Sequence, residues 1–258
     1  MSTRSVGFIG GGRITRILLE GWQRANALPA AIVVSDVNDG VLSKLKARFP
    51  AIAAASDNTA AAAQDVVILA VHPPAMPQVA GGVRSSLKPG AVVVSLAPKF
   101  TIAKLSELLG GFARLARLIP NAPSLIGAGY NPMSFAPALS ASDRSELMAL
   151  FSPLGECPEV QESDLEAYAV LTAMGPTYLW FQLQALRELA ADLGLGDGAI
   201  TPALKRMVCG STRTLLEAGL PAAEVLDLIP VKPLAEMEPQ VTGLYRTRLP
   251  ALYQKIRP

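Results

Sequence analysis

Histidine is almost missing from this sequence of 258 residues: His72 stands alone, and the two cysteines, Cys157 and Cys209, lie far apart with no CxxC or Cys/His spacing. That scarcity gives no basis for a zinc centre or a disulfide framework, and no metal site is read from the chain. Charge is sparse as well. Asp, Glu, Lys and Arg make up 17% of the residues and the formal net charge is +2, with the basic residues scattered. No electrostatic footprint for nucleic acid or an anionic membrane results, so neither is expected as a partner. Long apolar runs are absent too. Even the greasiest stretch, Tyr178 to Leu195, carries Gln182, Gln184, Arg187, Glu188 and Asp192, and nothing approaches the roughly 18 uninterrupted apolar residues of a membrane span. The first residues run directly into an apolar strand and leave no room for a signal peptide, so a soluble, cytoplasmic protein is expected.

What the chain has in excess is apolar surface. Hydrophobic residues make up 50%, and with so few charges to cover it some of that surface is expected to lie in a subunit interface, as in a homodimer or larger assembly. The length suits two modest domains.

The stretch Val6-Gly7-Phe8-Ile9-Gly10-Gly11-Gly12-Arg13-Ile14-Thr15 organises the rest. An apolar strand, a glycine turn and a helix start in immediate succession read as a dinucleotide site. Gly10 permits the tight turn, Gly12 lets the backbone approach a pyrophosphate, and the amides of the helix N-terminus, with Gly11, Arg13 and Ile14, face the anion. Thr15 stands where the third small residue of G-x-G-x-x-G/A is expected, and its branched side chain should push helix and strand slightly apart. Asp36 ends the next apolar run, 24 residues beyond Gly12, near the distance of the acid that hydrogen-bonds the adenosine ribose; a helix-capping aspartate is the alternative. As a ribose ligand, Asp36 should repel a 2′-phosphate and favour NAD over NADP.

Strand and helix patterns then alternate. Strands are expected over 31–36, around 52–55, over 65–71, over 91–97 and around 115–119. Helices are expected from Arg13 to Ala25, over 41–49, after Asp57-Asn58, over 75–87 and over 101–109. The continuous apolar run Asp65–Val71 suits a parallel strand covered on both faces. This alternation predicts an α/β fold, an N-terminal doubly wound Rossmann-type parallel sheet over residues 1–162. From Ser163 onward the period is helical and apolar on more than one side, bent at Gly175-Pro176. Helices over 163–193, 198–218, 222–228 and 233–255 predict an all-helical dimerisation domain over residues 163–258.

Several segments together resemble one family, the pyrroline-5-carboxylate reductases. They are Gly7-Phe8-Ile9-Gly10 with Gly12, Asp65–Val71 closing in Pro73, Arg117-Leu118-Ile119-Pro120-Asn121-Ala122-Pro123, and Gly175-Pro176-Thr177-Tyr178. The last two are similar to that family's R-x-M-P-N-T-P and G-S-G-P-A-Y signatures. The resemblance implies NAD(P)H as cofactor, reduction of a small cyclic imine, an N-terminal nucleotide domain and a helical domain that interlocks with a partner subunit. The chain also departs from the pattern. His72 replaces a usual lysine, Ser95-Leu96-Ala97-Pro98-Lys99 replaces S-I-A-A-G, and Ala173-Met174 replaces Gly-Ser. The S-P-G-G-T-T loop that holds the substrate's carboxylate and imine is replaced by Ile229-Pro230-Val231-Lys232-Pro233-Leu234-Ala235.

In an open α/β sheet, ligands bind beyond the carboxyl ends of the strands, which singles out the residues just after apolar runs. Ala70, Val71, His72 and Pro73 are expected to line the cofactor cleft, with His72 also a potential acid. Asn121, held between prolines, is expected to hydrogen-bond the nicotinamide amide or the substrate. Lys99 could stabilise developing negative charge or hold a carboxylate, and is otherwise a solvated surface lysine. Tyr178 and, more weakly, Thr177 are placed against the substrate by the resemblance, with core packing the alternative. Lys232 could take over carboxylate binding in the altered loop. Two further readings stay open beside the imine reductase: an NAD(P)-binding sensor or scaffold without catalysis, and a dehydrogenase of small hydroxy acids.

Overall fold

A computed structural model describes residues 4–258. The chain divides into two compact units, one holding everything up to Met174 together with Leu252–Pro258, the other Gly175–Ala251. The expected division at 162/163 therefore falls inside the first unit.

The first unit begins with β1 (Val6–Ile9), α1 (Arg13–Arg24), β2 (Ile32–Ser35), α2 (Asp39–Arg48), β3 (Ala53–Ala55), α3 (Asn58–Ala62), β4 (Val66–Leu69) and α4 (Met76–Val83). It continues with β5 (Val92–Ser95), α5 (Ile102–Leu108), β6 (Leu115–Leu118), β7 (Gly129–Tyr130), β8 (Met133–Phe135), α6 (Ala141–Phe151), β9 (Gly155–Glu156) and α7 (Leu165–Tyr168). Seven strands form one sheet in the order β3-β2-β1-β4-β5-β6-β8. All neighbours are parallel except β6 and β8, which pair antiparallel. The helix expected over 75–87 is shorter, flanked by 3-10 turns at Pro73–Ala75 and Arg84–Ser86.

Both sheet faces are buried, and the strands show it by alternation. Val6, Phe8, Val66, Ile68, Val92 and Val94 belong to the apolar layer that includes Leu18, Trp22, Leu45 and Phe151. Their in-between neighbours Ile9, Val67, Leu69 and Val93 pack with Met76, Ala80, Val83 and Leu105 on the other side. Trp22 anchors the first layer, with its Nε1 donating to the Leu150 carbonyl at 2.8 Å and its ring 6.0 Å from Phe8 and 5.8 Å from Phe151. A π-helical turn over Ala169–Ala173 ends just before Gly175-Pro176, where the next helix begins.

The second unit is helical: α8 (Pro176–Asp192), α9 (Asp197–Glu217), α10 (Ala222–Asp227) and most of α11 (Glu238–Ile256). Alpha-helix α11 begins at Glu238 rather than Pro233, since Pro233 and the 3-10 turn Ala235–Met237 precede it. Many apolar side chains of this unit are exposed, among them Trp180, Phe181, Leu186 and Leu189 on α8, Leu193 just after it, and Met207 and Leu216 on α9. Among the described residues, no helix is long and apolar enough to cross a membrane.

Candidate active site

Beta-strand β1 has β2 on one side and β4 on the other, so the chain leaving Ile9 emerges where the direction of strand order reverses. Such a switch point opens a crevice at the carboxyl end of an α/β sheet. Gly10 turns out of the strand with φ +105°, and a Cβ there would sit 2.5 Å from the Ala70 carbonyl oxygen, so only glycine fits. Gly12 differs: a Cβ on it would meet nothing within 4 Å. Its space is open, as a backbone that must admit a ligand requires. Gly12 is also the N-cap of α1 and makes no side-chain cap, while Asn38, Asp57, Thr101 and Ser140 cap the first turns of α2, α3, α5 and α6. The amides of Arg13 and Ile14 are thus left to an outside acceptor, and no acid lies in the first turn.

Thr15 does not pry helix and strand apart. Its side chain is fully buried and its hydroxyl donates to the Gly10 carbonyl at 2.6 Å, bracing the turn it was expected to loosen. Asp36, at the end of β2, accepts from the Gly11 amide at 2.7 Å through Oδ2 and from the Asn38 amide at 2.8 Å through Oδ1. The helix cap belongs instead to Asn38, whose Oδ1 accepts from the Gly40 and Val41 amides. Asp36 therefore ties the glycine turn to the edge of β2, and its remaining lone pairs stay open to a ribose diol.

Beyond β4, Ala70 donates its amide to the Ile9 carbonyl at 2.8 Å, which places Ala70, Val71, His72 and Pro73 beside the glycine turn. His72 is exposed and extended, and gives no side-chain cap to the turn after it. Asn121 follows β6. Its side chain is turned inward, 6% exposed, with Nδ2 donating to the Thr172 carbonyl at 3.2 Å and Oδ1 accepting from the Tyr130 amide at 3.3 Å and the Ser124 hydroxyl at 3.4 Å. These bonds brace the Pro120–Pro123 turn and use one of the two Nδ2 hydrogens.

Lys99 lies four residues after β5 with φ +74°, and its amide donates to Glu166 Oε1 at 3.2 Å. Glu166 is paired with Arg117 of β6, both side chains 1% exposed. Glu162 Oε1 lies 3.2 Å from Arg117 Nη1 and accepts from the Ile102 amide at 2.6 Å. Neither acid was singled out from the sequence. Their four-residue spacing, one helical turn, was the available signal.

Thr177 and Tyr178 open α8 in the second unit. The Tyr178 ring lies 6.1 Å from that of Tyr245, and burial, with Tyr245 adding to it, raises its phenol above the ordinary value. Lys232 sits in an exposed turn 3.7 Å from Asp227, a surface pairing. Burial also pushes the Cys157 thiol up to about 11, which makes it a poor nucleophile. Among the described residues no cluster of three His, Cys, Asp or Glu could hold a metal ion.

Comparison with known proteins agrees with this geometry. The family model described as NADP oxidoreductase coenzyme F420-dependent matches residues 5–99, which span β1 through β5. The pyrroline-5-carboxylate reductase of Corynebacterium melassecola is 30% identical over 194 residues, covering 74% of this chain and 72% of its own. The chain belongs to the pyrroline-5-carboxylate reductase family. The Pseudomonas aeruginosa reductase is 29% identical over 227 residues, with 87% and 83% of the two chains covered. Among solved structures, a Coxiella burnetii pyrroline-5-carboxylate reductase matches with TM-score 0.70 and 26% identity over 99% of this chain and 95% of its own. A Plasmodium falciparum pyrroline carboxylate reductase with NADP bound matches with TM-score 0.76 at 19% identity over 99% and 95%, a likeness of fold. As a member of the pyrroline-5-carboxylate reductase family, this chain is an NAD(P)-dependent oxidoreductase.

Proposed function

We propose that this chain reduces a small cyclic imine bearing a carboxylate, pyrroline-5-carboxylate or a near relative, with NAD(P)H bound at the glycine turn. The observation that carries the reading is the contrast between Gly10, which the fold itself requires, and Gly12, which the fold does not. Standing at the start of α1 directly after the turn out of β1, Gly12 leaves the backbone open to a pyrophosphate. The cofactor, when bound, supplies the hydride. The protein's part is to hold the pyrophosphate on the amides of Arg13 and Ile14, to fix a ribose on Asp36, and to line the cleft with Ala70, Val71, His72 and Pro73. Thr177 and Tyr178, at the start of α8, are the candidate hydroxyl donors to an imine nitrogen. Asp36 at the ribose position favours NADH, since a carboxylate repels a 2′-phosphate.

The stretch Ile229–Ala235 cannot hold a carboxylate as a nest of amides would, because Pro230 and Pro233 carry no N–H. Catalysis with pyrroline-5-carboxylate is therefore expected to be slow for an enzyme of this kind. The exposed apolar faces of α8 and α9 belong in a homodimer or larger assembly, and light scattering should give at least twice the 27.0 kDa of one chain; a 27.0 kDa particle at micromolar concentration rejects that part. A reductase drawing on the reduced nicotinamide pool belongs in the cytoplasm.

Fluorescence titration with NADH and NADPH tests the cofactor site. Gly12→Val should keep its fold and lose several-fold or more in affinity, whereas unchanged affinity in a folded variant rejects the site.

A further inference from the structure

Among the described residues, Asn26 and Lys99 are the non-glycine residues in the left-handed region. Asn tolerates that conformation; lysine does not without support. At Lys99 the support is built. Glu166 accepts from the Lys99 amide, Glu162 accepts from the Ile102 amide, and both carboxylates are gathered by Arg117, whose side chain is 1% exposed. The loop from 99 to 102 is thus clamped at both ends by a buried ionic cluster. The Lys99 side chain stands exposed and, among the described residues, joins no ion pair. Strain that the surrounding structure over-determines is found where a loop must present something.

What it presents follows from the sheet. With a ribose on Asp36 at the end of β2 and a pyrophosphate at the turn after β1, the reacting end of a dinucleotide extends over β4 and β5. Beta-strand β5 is three strand spacings from β2, roughly 14 Å. Lys99 therefore carries a cation on a clamped loop at the reacting end. A cation there does not assist hydride transfer to a protonated imine, because it repels the positive charge that makes the imine carbon electrophilic. It is useful only if it pairs with a negative group elsewhere on the substrate.

We infer that Lys99 is a specificity-determining residue that selects an imine carrying a carboxylate, taking the charge that the amide-poor 229–235 stretch cannot take. The inference rests on the proposed imine-reductase reading. A single flexible ammonium holds a planar acid less rigidly than a fixed nest of amides, so it gives selectivity with modest rate.

The test compares pyrroline-5-carboxylate with 1-pyrroline, the same ring without the carboxylate, as substrates for the full chain and its Lys99→Gly and Lys99→Arg variants, alongside thermal unfolding. Lys99→Gly should lower the ratio of kcat/KM for the two imines by about tenfold or more, the value of one charge-assisted hydrogen bond. The same variant should melt about 2–4 °C higher, because glycine accepts φ +74° without strain. Lys99→Arg should keep most of the ratio. A ratio unchanged in Lys99→Gly overturns the role of Lys99 and leaves the imine-reductase reading standing. If the unmodified protein reduces neither imine, both fall.

Discussion

Replacing Arg117 by methionine isolates the energetics of the buried cluster. The Glu166 side chain is 1% exposed, and with the guanidinium gone its carboxylate keeps only the Lys99 amide as donor, at 3.2 Å. Glu162 is 30% exposed and can turn to water, so its loss is small. The cost is that of one uncompensated buried charge, about 3–5 kcal/mol, a large share of the roughly 5–15 kcal/mol that holds a domain together. The reverse change should be milder. Glu166→Gln leaves Arg117 with Glu162 at 3.2 Å and retains an oxygen facing the Lys99 amide, for a cost of about 1–2 kcal/mol. In Arg117→Met/Glu166→Leu the stranded charge is gone, so the double variant should be more stable than Arg117→Met alone. Urea unfolding measures all three, read as midpoint shifts at constant slope. If Arg117→Met lies within 1 kcal/mol of the unmodified protein, or the double variant is no more stable than the single, the cluster does not hold the 99–102 loop as described.

Gly10→Ala should damage the fold, with its Cβ 2.5 Å from the Ala70 carbonyl, and circular dichroism with melting checks that Gly12→Val does not share this defect. Asp36→Ala should weaken NADH more than NADPH, narrowing the preference for NADH measured by titration; a variant that loses both equally would show that Asp36 only braces Gly11. Acid stability reports on Asp143. Burial pushes its carboxyl up, but the Ser140 hydroxyl and the Arg4 and Arg114 guanidinium groups outweigh it and hold it at about 2 against an ordinary 3.8. A carboxyl depressed on folding contributes stability that is present above the unfolded value and lost as pH falls through the folded one. About 2 kcal/mol should disappear between pH 5 and pH 2, and Asp143→Asn should flatten that part of the curve.

Much of the fold was legible because period and punctuation agreed. The runs Val66–Leu69 and Val92–Val94 are apolar at every position, and both faces of those strands are buried. The glycine turn was legible for the same reason, with strand, turn and helix in immediate succession. Less legible were features that depend on where a side chain turns. Asn121 has the composition of a ligand and points inward to Thr172. Thr15 looks like a defect in the motif and hydrogen-bonds the turn. Glu166 meets Lys99 and Arg117 across 67 and 49 residues of chain, a pairing that no local pattern encodes. The start of α11 was set too early because Pro233 reads equally well as a first-turn proline and as part of the preceding loop.

The most direct measurement is oxidation of NADH and of NADPH by the purified protein with pyrroline-5-carboxylate near neutral pH, with Gly12→Val as the control. The account predicts substrate-dependent oxidation that Gly12→Val lowers several-fold or more at subsaturating cofactor, faster at equal concentration with NADH, and with kcat/KM below the roughly 10⁴ M⁻¹s⁻¹ at the low end of ordinary enzymes. Tight nucleotide binding with no oxidation above the substrate-free rate would contradict it, and would make the chain a nucleotide-binding sensor built on a reductase fold.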